Sequence, residues 1–175
     1  MKSIRTPFLL CLLVLLALPL HAGQSPTVSG TRDRTIILVR HAEKSTAPAD
    51  DPALSAAGSA RAQALARRLA HAGVGAIVTT QWTRTRATAA PLAAARSIVP
   101  IEVSTSGAMH VEDVVAKLRK LDADVVLVVG HSNTVPAIIL ALGGPAVDAI
   151  GEADYDRMLV LELGDHPPRL VDARY

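Results

Sequence analysis

Aromatic residues are scarce in this 175-residue chain, which contains one Phe, one Trp and two Tyr. A surface that stacks single-stranded nucleic acid needs several exposed rings, so this binding class is disfavoured. Charged residues make up only 19% of the chain and the formal net charge is +2, which argues against a disordered protein. Half of the residues are apolar, so Ala, Leu and Val supply the packing volume of one domain-sized core.

The first 22 residues have the pattern of an export signal. Lys2 and Arg5 precede an apolar run of 13 residues from Phe8 to Leu20, and the small residue Ala22 follows. This order is typical of a secretory signal peptide, and the run is shorter than the roughly 20 residues that span a bilayer. We therefore predict a signal peptide over residues 1–22 and a periplasmic or secreted protein, with an uncleaved membrane anchor as the alternative.

Removing this segment leaves a domain with neither net charge nor thiol. Two of the 18 basic residues and none of the 16 acidic residues lie in it, so the mature chain carries 16 of each. Such a balance does not predict a surface that binds polyanions. The single cysteine, Cys11, also lies there, which excludes disulfides and cysteine-ligated metals from the mature domain. We expect residues 23–33 to form a linker and residues 34–175 to form the domain.

From residue 34 onward, apolar runs suited to strands alternate with helical patterns. We predict strands at Thr35–Val39, Ala76–Thr79, Ile98–Val103, Val125–Val129 and Met158–Leu163, with a short one near Leu170. We predict helices over Gly58–His71 and Thr85–Ala95 and in the stretches Val111–Leu121 and Val135–Leu142. Pro100 favours an edge position for the third strand. The alternation predicts a three-layer α/β/α fold with a mostly parallel central sheet, in which ligands bind at the carboxyl ends of the strands.

Basic side chains follow three of these predicted strands. Arg40 and His41 end the first strand, Arg84 opens the helix after the second, and His131 follows the most hydrophobic strand. We expect them to meet at one edge of the sheet, near helix N-termini that also favour anions. Arginine matches phosphate oxygens with two hydrogen bonds, and a neutral imidazole is a competent nucleophile toward phosphorus. The pattern predicts a phosphate site, and no metal-binding spacing accompanies it.

The segments around these residues resemble the signature motifs of the histidine phosphatase superfamily, in its phosphoglycerate-mutase-like branch. The resembling segments are Leu38–Lys44, Leu54–Ala62, Thr79–Leu92 and Val129–Asn133. The chain departs from the first motif at Ala42, where the family has glycine. The resemblance extends from residue 34 to residue 163 and implies that 34–175 is a histidine phosphatase domain with the phosphoglycerate-mutase-like fold.

The resemblance also implies a role for each of four residues. His41 would be the nucleophile that carries a phosphohistidine, and Arg40 and Arg84 would hold the phosphate oxygens. His131 would stabilise the transferred phosphoryl group before water releases it. The implied activity is hydrolysis of phosphomonoesters or phosphoramidates without a metal or organic cofactor. The expected partner is a small phosphorylated substrate or a phosphoprotein, with no nucleic acid and no membrane after signal cleavage.

The proton donor for the leaving group is less clearly marked. In acid-phosphatase-like members it follows the second histidine, where this chain has Ser132, and in mutase-like members it follows the second motif. We take Glu112 as the candidate there, with Asp113 and Glu43 as alternatives. Because carboxylates also stabilise helix N-termini, Glu112 and Asp113 have a purely structural explanation too. Without an acid, good leaving groups or phosphoramidates would be preferred.

Two other functions remain open at this stage. A non-catalytic module that binds phosphate could keep the same pocket. Alternatively, the segment Gly130–Thr134 approaches the G-x-S-x-G turn of α/β-hydrolases, which would make Ser132 the nucleophile of an esterase. His166 is the only histidine after it, and the possible orienting acids are Asp148, Asp154, Asp156 and Asp165. This esterase alternative leaves Arg40, His41 and Arg84 without a role.

Overall fold

A computed structural model describes residues 32–175, so the predicted signal peptide, Cys11 and the predicted linker up to residue 31 lie outside the described residues. Six strands and four helices make up this part, and they alternate until the last two strands, which follow each other directly. In chain order they are β1 Arg34–Arg40, α1 Ala56–Arg68, β2 Ala76–Thr79, α2 Thr83–Arg96, β3 Ile101–Glu102, α3 His110–Lys120, β4 Val125–Gly130, α4 Thr134–Ala141, β5 Arg157–Leu163 and β6 Arg169–Arg174. Within residues 32–175, no helix is both long enough and apolar enough to cross a membrane.

The strands form one sheet in the order β3-β2-β4-β1-β5-β6. Strands β1, β2, β3 and β4 pair in parallel, whereas β5 runs antiparallel to both β1 and β6. The predicted α/β fold with a mostly parallel sheet is thus confirmed, as is the edge position of β3, and β4 lies in the interior of the sheet. Arg40 is in register with Gly130, so the residues that follow β1 and β4 emerge side by side.

Both faces of the sheet are covered, which explains the continuous apolar runs in its strands. Along β1, Ile36 and Leu38 belong to the core cluster that includes Leu118 of α3. Ile37 and Val39 alternate with them and belong to the opposite cluster, with residues from α1 and α2. Each fully buried aliphatic side chain contributes roughly 1.5–3 kcal/mol. This two-sided packing makes β1 a rigid support for the residues at its end.

Several predicted element boundaries are wrong by a few residues, for identifiable reasons. The helix predicted from Gly58 begins at Ala56, because the hydroxyl of Ser55 accepts the Gly58 N–H at 3.1 Å and caps the helix there. It ends at Arg68 rather than His71. The third strand, predicted over Ile98–Val103, is only two residues long and is β3. Pro100, which has no N–H to donate, directly precedes it.

Candidate active site

The carboxyl ends of β1, β2 and β4 meet at a cavity of about 520 Å³. His41 and His131 face each other across it, with ring centroids 5.5 Å apart and ring planes at 66°. Arg40 and Arg84 also line the cavity. The other lining residues with functional groups include Lys44, Trp82, His110, Ser132 and Glu152. The structure therefore brings together the four residues that the motifs single out.

Among residues 32–175, the ring of His41 has a hydrogen-bond partner at one nitrogen and none at the other. Its Nδ1 lies 2.8 Å from the carbonyl oxygen of Ala42, and because a carbonyl can only accept, Nδ1 carries the proton and the lone pair is on Nε2. The residue is 5% exposed. Burial lowers the pKa of His41 to about 4, and the nearby charges of Arg84 and Arg40 act in the same direction. The imidazole is thus neutral at pH 7, as a nucleophile requires.

His131 is supported by a chain of hydroxyl groups. Its Nε2 lies 3.2 Å from Thr80 Oγ1, which in turn lies 2.9 Å from Thr85 Oγ1. The backbone N–H of His131 is bound by the hydroxyl of Thr134 at 3.1 Å. The pKa of His131 is lowered to about 3, chiefly by burial. The second largest cause is repulsion from a charged His41. Both rings of the pair are therefore uncharged near neutral pH.

Arg40 is fixed by the loop between α4 and β5. Its Nη1 donates to the carbonyl oxygens of Gly151 at 2.6 Å and Glu152 at 3.0 Å, and its Nη2 donates to the Glu152 carboxylate at 3.1 Å. The guanidinium also lies 4.3 Å from the ring centroid of Tyr155. Among residues 32–175, the buried Nε of Arg40 has no hydrogen-bond partner. This N–H is a donor that a bound anion can satisfy.

Arg84 is positioned by two neighbours that sequence reasoning left unassigned. Its guanidinium lies 4.8 Å from the ring centroid of Trp82 and 3.9 Å from a carboxylate oxygen of Asp51. Asp51 also accepts the backbone N–H of Thr83 at 2.9 Å and its hydroxyl at 2.7 Å, and these bonds lower the pKa of Asp51. The chain's own carboxylate therefore binds the N-terminus of α2, one of the helix ends that we expected to face an anion.

The three carboxylates proposed as proton donors lie away from the cavity. Glu112 and Asp113 are exposed on α3, and neither lines it. Glu43 accepts hydrogen bonds from Nε and Nη2 of Arg61 at 2.7–2.9 Å, and these bonds lower the pKa of Glu43. Sequence reasoning missed His110 and Glu152, which do line the cavity, because neither belongs to a recognisable motif.

The serine esterase arrangement is not formed. Ser132 lines the cavity at the strand ends, whereas His166 lines a separate cavity of about 500 Å³ with Arg34 and Leu163. The Nδ1 of His166 lies 2.9 Å from the carbonyl oxygen of Pro167. Within the described part of the chain, no group of three or more His, Cys, Asp or Glu side chains could hold a metal ion.

Comparison with protein families supports the motif analysis. The model of the histidine phosphatase superfamily (branch 1) matches residues 36–106, a segment that includes His41 and Arg84 and ends before His131. The predicted resemblance to this superfamily is confirmed. Comparison with curated proteins gives no match.

Solved structures with this fold include several phosphatases. The protein designated phosphohistidine phosphatase SixA from Agrobacterium tumefaciens is 22% identical, with a TM-score of 0.63 over 81% of this chain and 98% of that one. Its namesake from Nakamurella multipartitia is 24% identical, with a TM-score of 0.58 over 83% and 98%. The mycobacterial glucosyl-3-phosphoglycerate phosphatase Rv2419c is 16% identical, with a TM-score of 0.61 over 82% and 99%. These likenesses confirm the fold.

Proposed function

We propose that this protein hydrolyses phosphomonoesters or phosphoramidates through a phosphohistidine on His41, without a metal ion. The observation that carries the proposal is the free lone pair on Nε2 of a buried, neutral His41 that faces His131 at 5.5 Å. Two arginines line the same cavity. Such a site combines a nucleophile with fixed positive charge for the oxygens of the group being transferred.

The reaction would proceed in two displacements at phosphorus. Nε2 of His41 attacks, the P–N bond forms, and the bond from phosphorus to the leaving atom breaks. Arg84 and the unpartnered Nε–H of Arg40 bind the phosphoryl oxygens, and a ring N–H of His131 stabilises the charge that develops on them. Water then attacks phosphorus, the P–N bond breaks, and phosphate leaves His41 as it was.

The proposal also covers the class of substrate and the location of the protein. The names of the structural neighbours refer to phosphate bound to protein histidine and to a phosphorylated sugar derivative. Both are compatible with a cavity of about 520 Å³ lined mainly by polar groups. We therefore propose a small phosphorylated molecule or a phosphoprotein as substrate, met in the periplasm or outside the cell if residues 1–22 direct export.

Hydrolysis of p-nitrophenyl phosphate in excess chelator tests the activity. His41→Ala is expected to reduce turnover to background, and radiolabelled substrate should leave an acid-labile label on the native chain only. Arg84→Ala should lower kcat/KM by on the order of 100-fold, as for loss of one transition-state donor. Arg86→Ala is the matched control, because Arg86 is on the same helix and pairs with Glu102 at 3.4 Å.

The same assay separates the alternatives. Phosphate binding without turnover in the native chain would favour a non-catalytic binding module. Ser132→Ala and His166→Ala should each retain most of the phosphatase activity, whereas an esterase would lose its ester hydrolysis in both. Turnover that survives in His41→Ala would refute the proposed mechanism.

A further inference from the structure

A third imidazole lines the cavity at the start of α3. His110 is 6% exposed and is the first residue of that helix. Its Nδ1 lies 2.8 Å from the carbonyl oxygen of Ser104, so Nδ1 carries a proton and donates it. Among residues 32–175, Nε2 of His110 has no hydrogen-bond partner. The ring is thus anchored at one nitrogen, and the residue lines the cavity.

His110 lies near the reacting pair. It lines the same cavity as His41 and His131, and a positive charge on it is one of the causes that lower the pKa of His131. Other charged or titratable groups line the cavity with it. They are Arg40 at the end of β1, His41 and Lys44 after β1, Arg84 on α2, His131 after β4 and Glu152 before β5.

The proposed reaction needs a proton donor, and the carboxylate that lines the cavity is poorly suited to this role. An alkoxide is a poor leaving group, so a phosphate ester of an aliphatic alcohol requires protonation of the leaving oxygen. Glu152 is the only carboxylate lining the cavity within the described residues. It is ion-paired with Arg40 at 3.1 Å and its side chain is 91% exposed, so protonating it would break that ion pair.

We propose that His110 is the general acid of this site, an inference that rests on the proposed phosphatase activity. As the P–N bond to His41 forms and the P–O bond breaks, the proton on Nε2 of a charged His110 passes to the leaving oxygen and gives the free alcohol. In the second step, the neutral His110 takes a proton from the attacking water, whose hydroxide joins phosphorus. The net reaction converts ester and water to alcohol and phosphate, and His110 regains its proton.

Two substrates with different leaving groups test this role. The variant His110→Asn keeps an amide N–H for the Ser104 carbonyl but has no proton to transfer. It should lower kcat/KM for glycerol 2-phosphate, which reports the steps up to departure of the alcohol, by on the order of 100-fold, the lower range for general acid catalysis. The loss of kcat/KM for p-nitrophenyl phosphate should be under about fivefold, because p-nitrophenolate leaves without protonation. Val111→Ala, also on α3 and lining the cavity, is the matched control and should affect both substrates equally.

The pH profile provides a readout that a structural role would not change. For the native chain, kcat/KM for glycerol 2-phosphate should have an alkaline limb, because a general acid must carry its proton in order to act. This alkaline limb should be absent in His110→Asn. His110→Gln, which preserves more of the side-chain volume, is the second variant if His110→Asn does not fold.

The outcomes distinguish this inference from the activity on which it rests. Native chain that turns over neither substrate refutes the proposed function. Native chain active on p-nitrophenyl phosphate alone, equal losses of kcat/KM on both substrates in the His110 variants, or an unchanged alkaline limb would refute the role of His110 and leave the role of His41 standing.

Discussion

Replacing His41 with Asn is expected to make the fold less sensitive to acid. The folded chain holds the pKa of His41 at about 4, whereas the unfolded chain has the ordinary value of 6.5. Between these values the unfolded chain binds a proton that the folded chain does not, so the free energy of unfolding falls as pH decreases from 6.5 to 4. The full difference corresponds to roughly 3 kcal/mol, and roughly 2 kcal/mol of it is lost by pH 4.5.

Urea unfolding at pH 7 and pH 4.5 measures this effect. Asn offers an amide N–H to the Ala42 carbonyl but does not titrate, so His41→Asn should lose roughly 2 kcal/mol less than the native chain between the two pH values. Part of the difference comes from His131, because a charged His41 lowers its pKa as well. Comparing the change with pH, rather than stability at one pH, removes the direct cost of the substitution.

The matched control for this experiment is His166→Asn. His166 bonds the carbonyl of the following residue at 2.9 Å, as His41 does at 2.8 Å, but it is exposed. His166→Asn makes the same exchange of side chains at an exposed position, so it should show the pH dependence of the native chain. A native-like loss of stability in His41→Asn would show that His41 is not held neutral by the fold and would refute this reasoning.

Three further substitutions test other contacts. Thr80→Val removes the hydroxyl 3.2 Å from Nε2 of His131 and should lower kcat about tenfold, the value of one hydrogen bond; unchanged kcat would contradict the support role. In Gly58→Ala, the new Cβ would overlap the carbonyl oxygen of Glu43 and lie 2.9 Å from its carbon, so urea unfolding should show a loss of about 2 kcal/mol. Arg61→Ala removes the partner of the half-buried Glu43 carboxylate and should cost about 1 kcal/mol; an unchanged Tm would show that the pair contributes nothing.

The sequence predicts well what depends on local pattern. The run Thr35–Val39 is apolar at every position but the first, which is the signature of a strand covered on both faces, and β1 occupies it. The parallel order of β1, β2 and β4 then places Arg40, His41 and His131 at one edge. These predictions succeed for two reasons. The end of an apolar run is a local property of the sequence, and the direction and neighbours of strands joined by helices follow from simple connection rules.

Contacts made across long loops could not be predicted. Glu152 reaches Arg40 from 112 positions along the chain, and no periodicity links the two. His110 begins a helix, where the sequence draws attention to the carboxylates of Glu112 and Asp113 instead. Helix phase decides which of these residues faces the cavity, and the phase of α3 is set by the packing of Val114 and Leu118 in the core. A register error of one residue moves a side chain by 100° around a helix, so the residue type alone is a poor guide.

The site is built from two parts of the chain, and the amino-acid sequence can change more freely in one of them than in the other. The histidines and Arg84 are tied to the parallel strands, where a one-residue insertion would shift the register of the core. Residues 142–156 lie outside this alternation and contact Arg40 in part through the backbone carbonyls of Gly151 and Glu152, which any amino acid provides. The exposed side chains of this loop that contact neither Arg40 nor the core, such as those of Ala146 and Ala149, can therefore be exchanged while the arginine stays in place, which makes these positions natural ones at which to alter substrate preference by design.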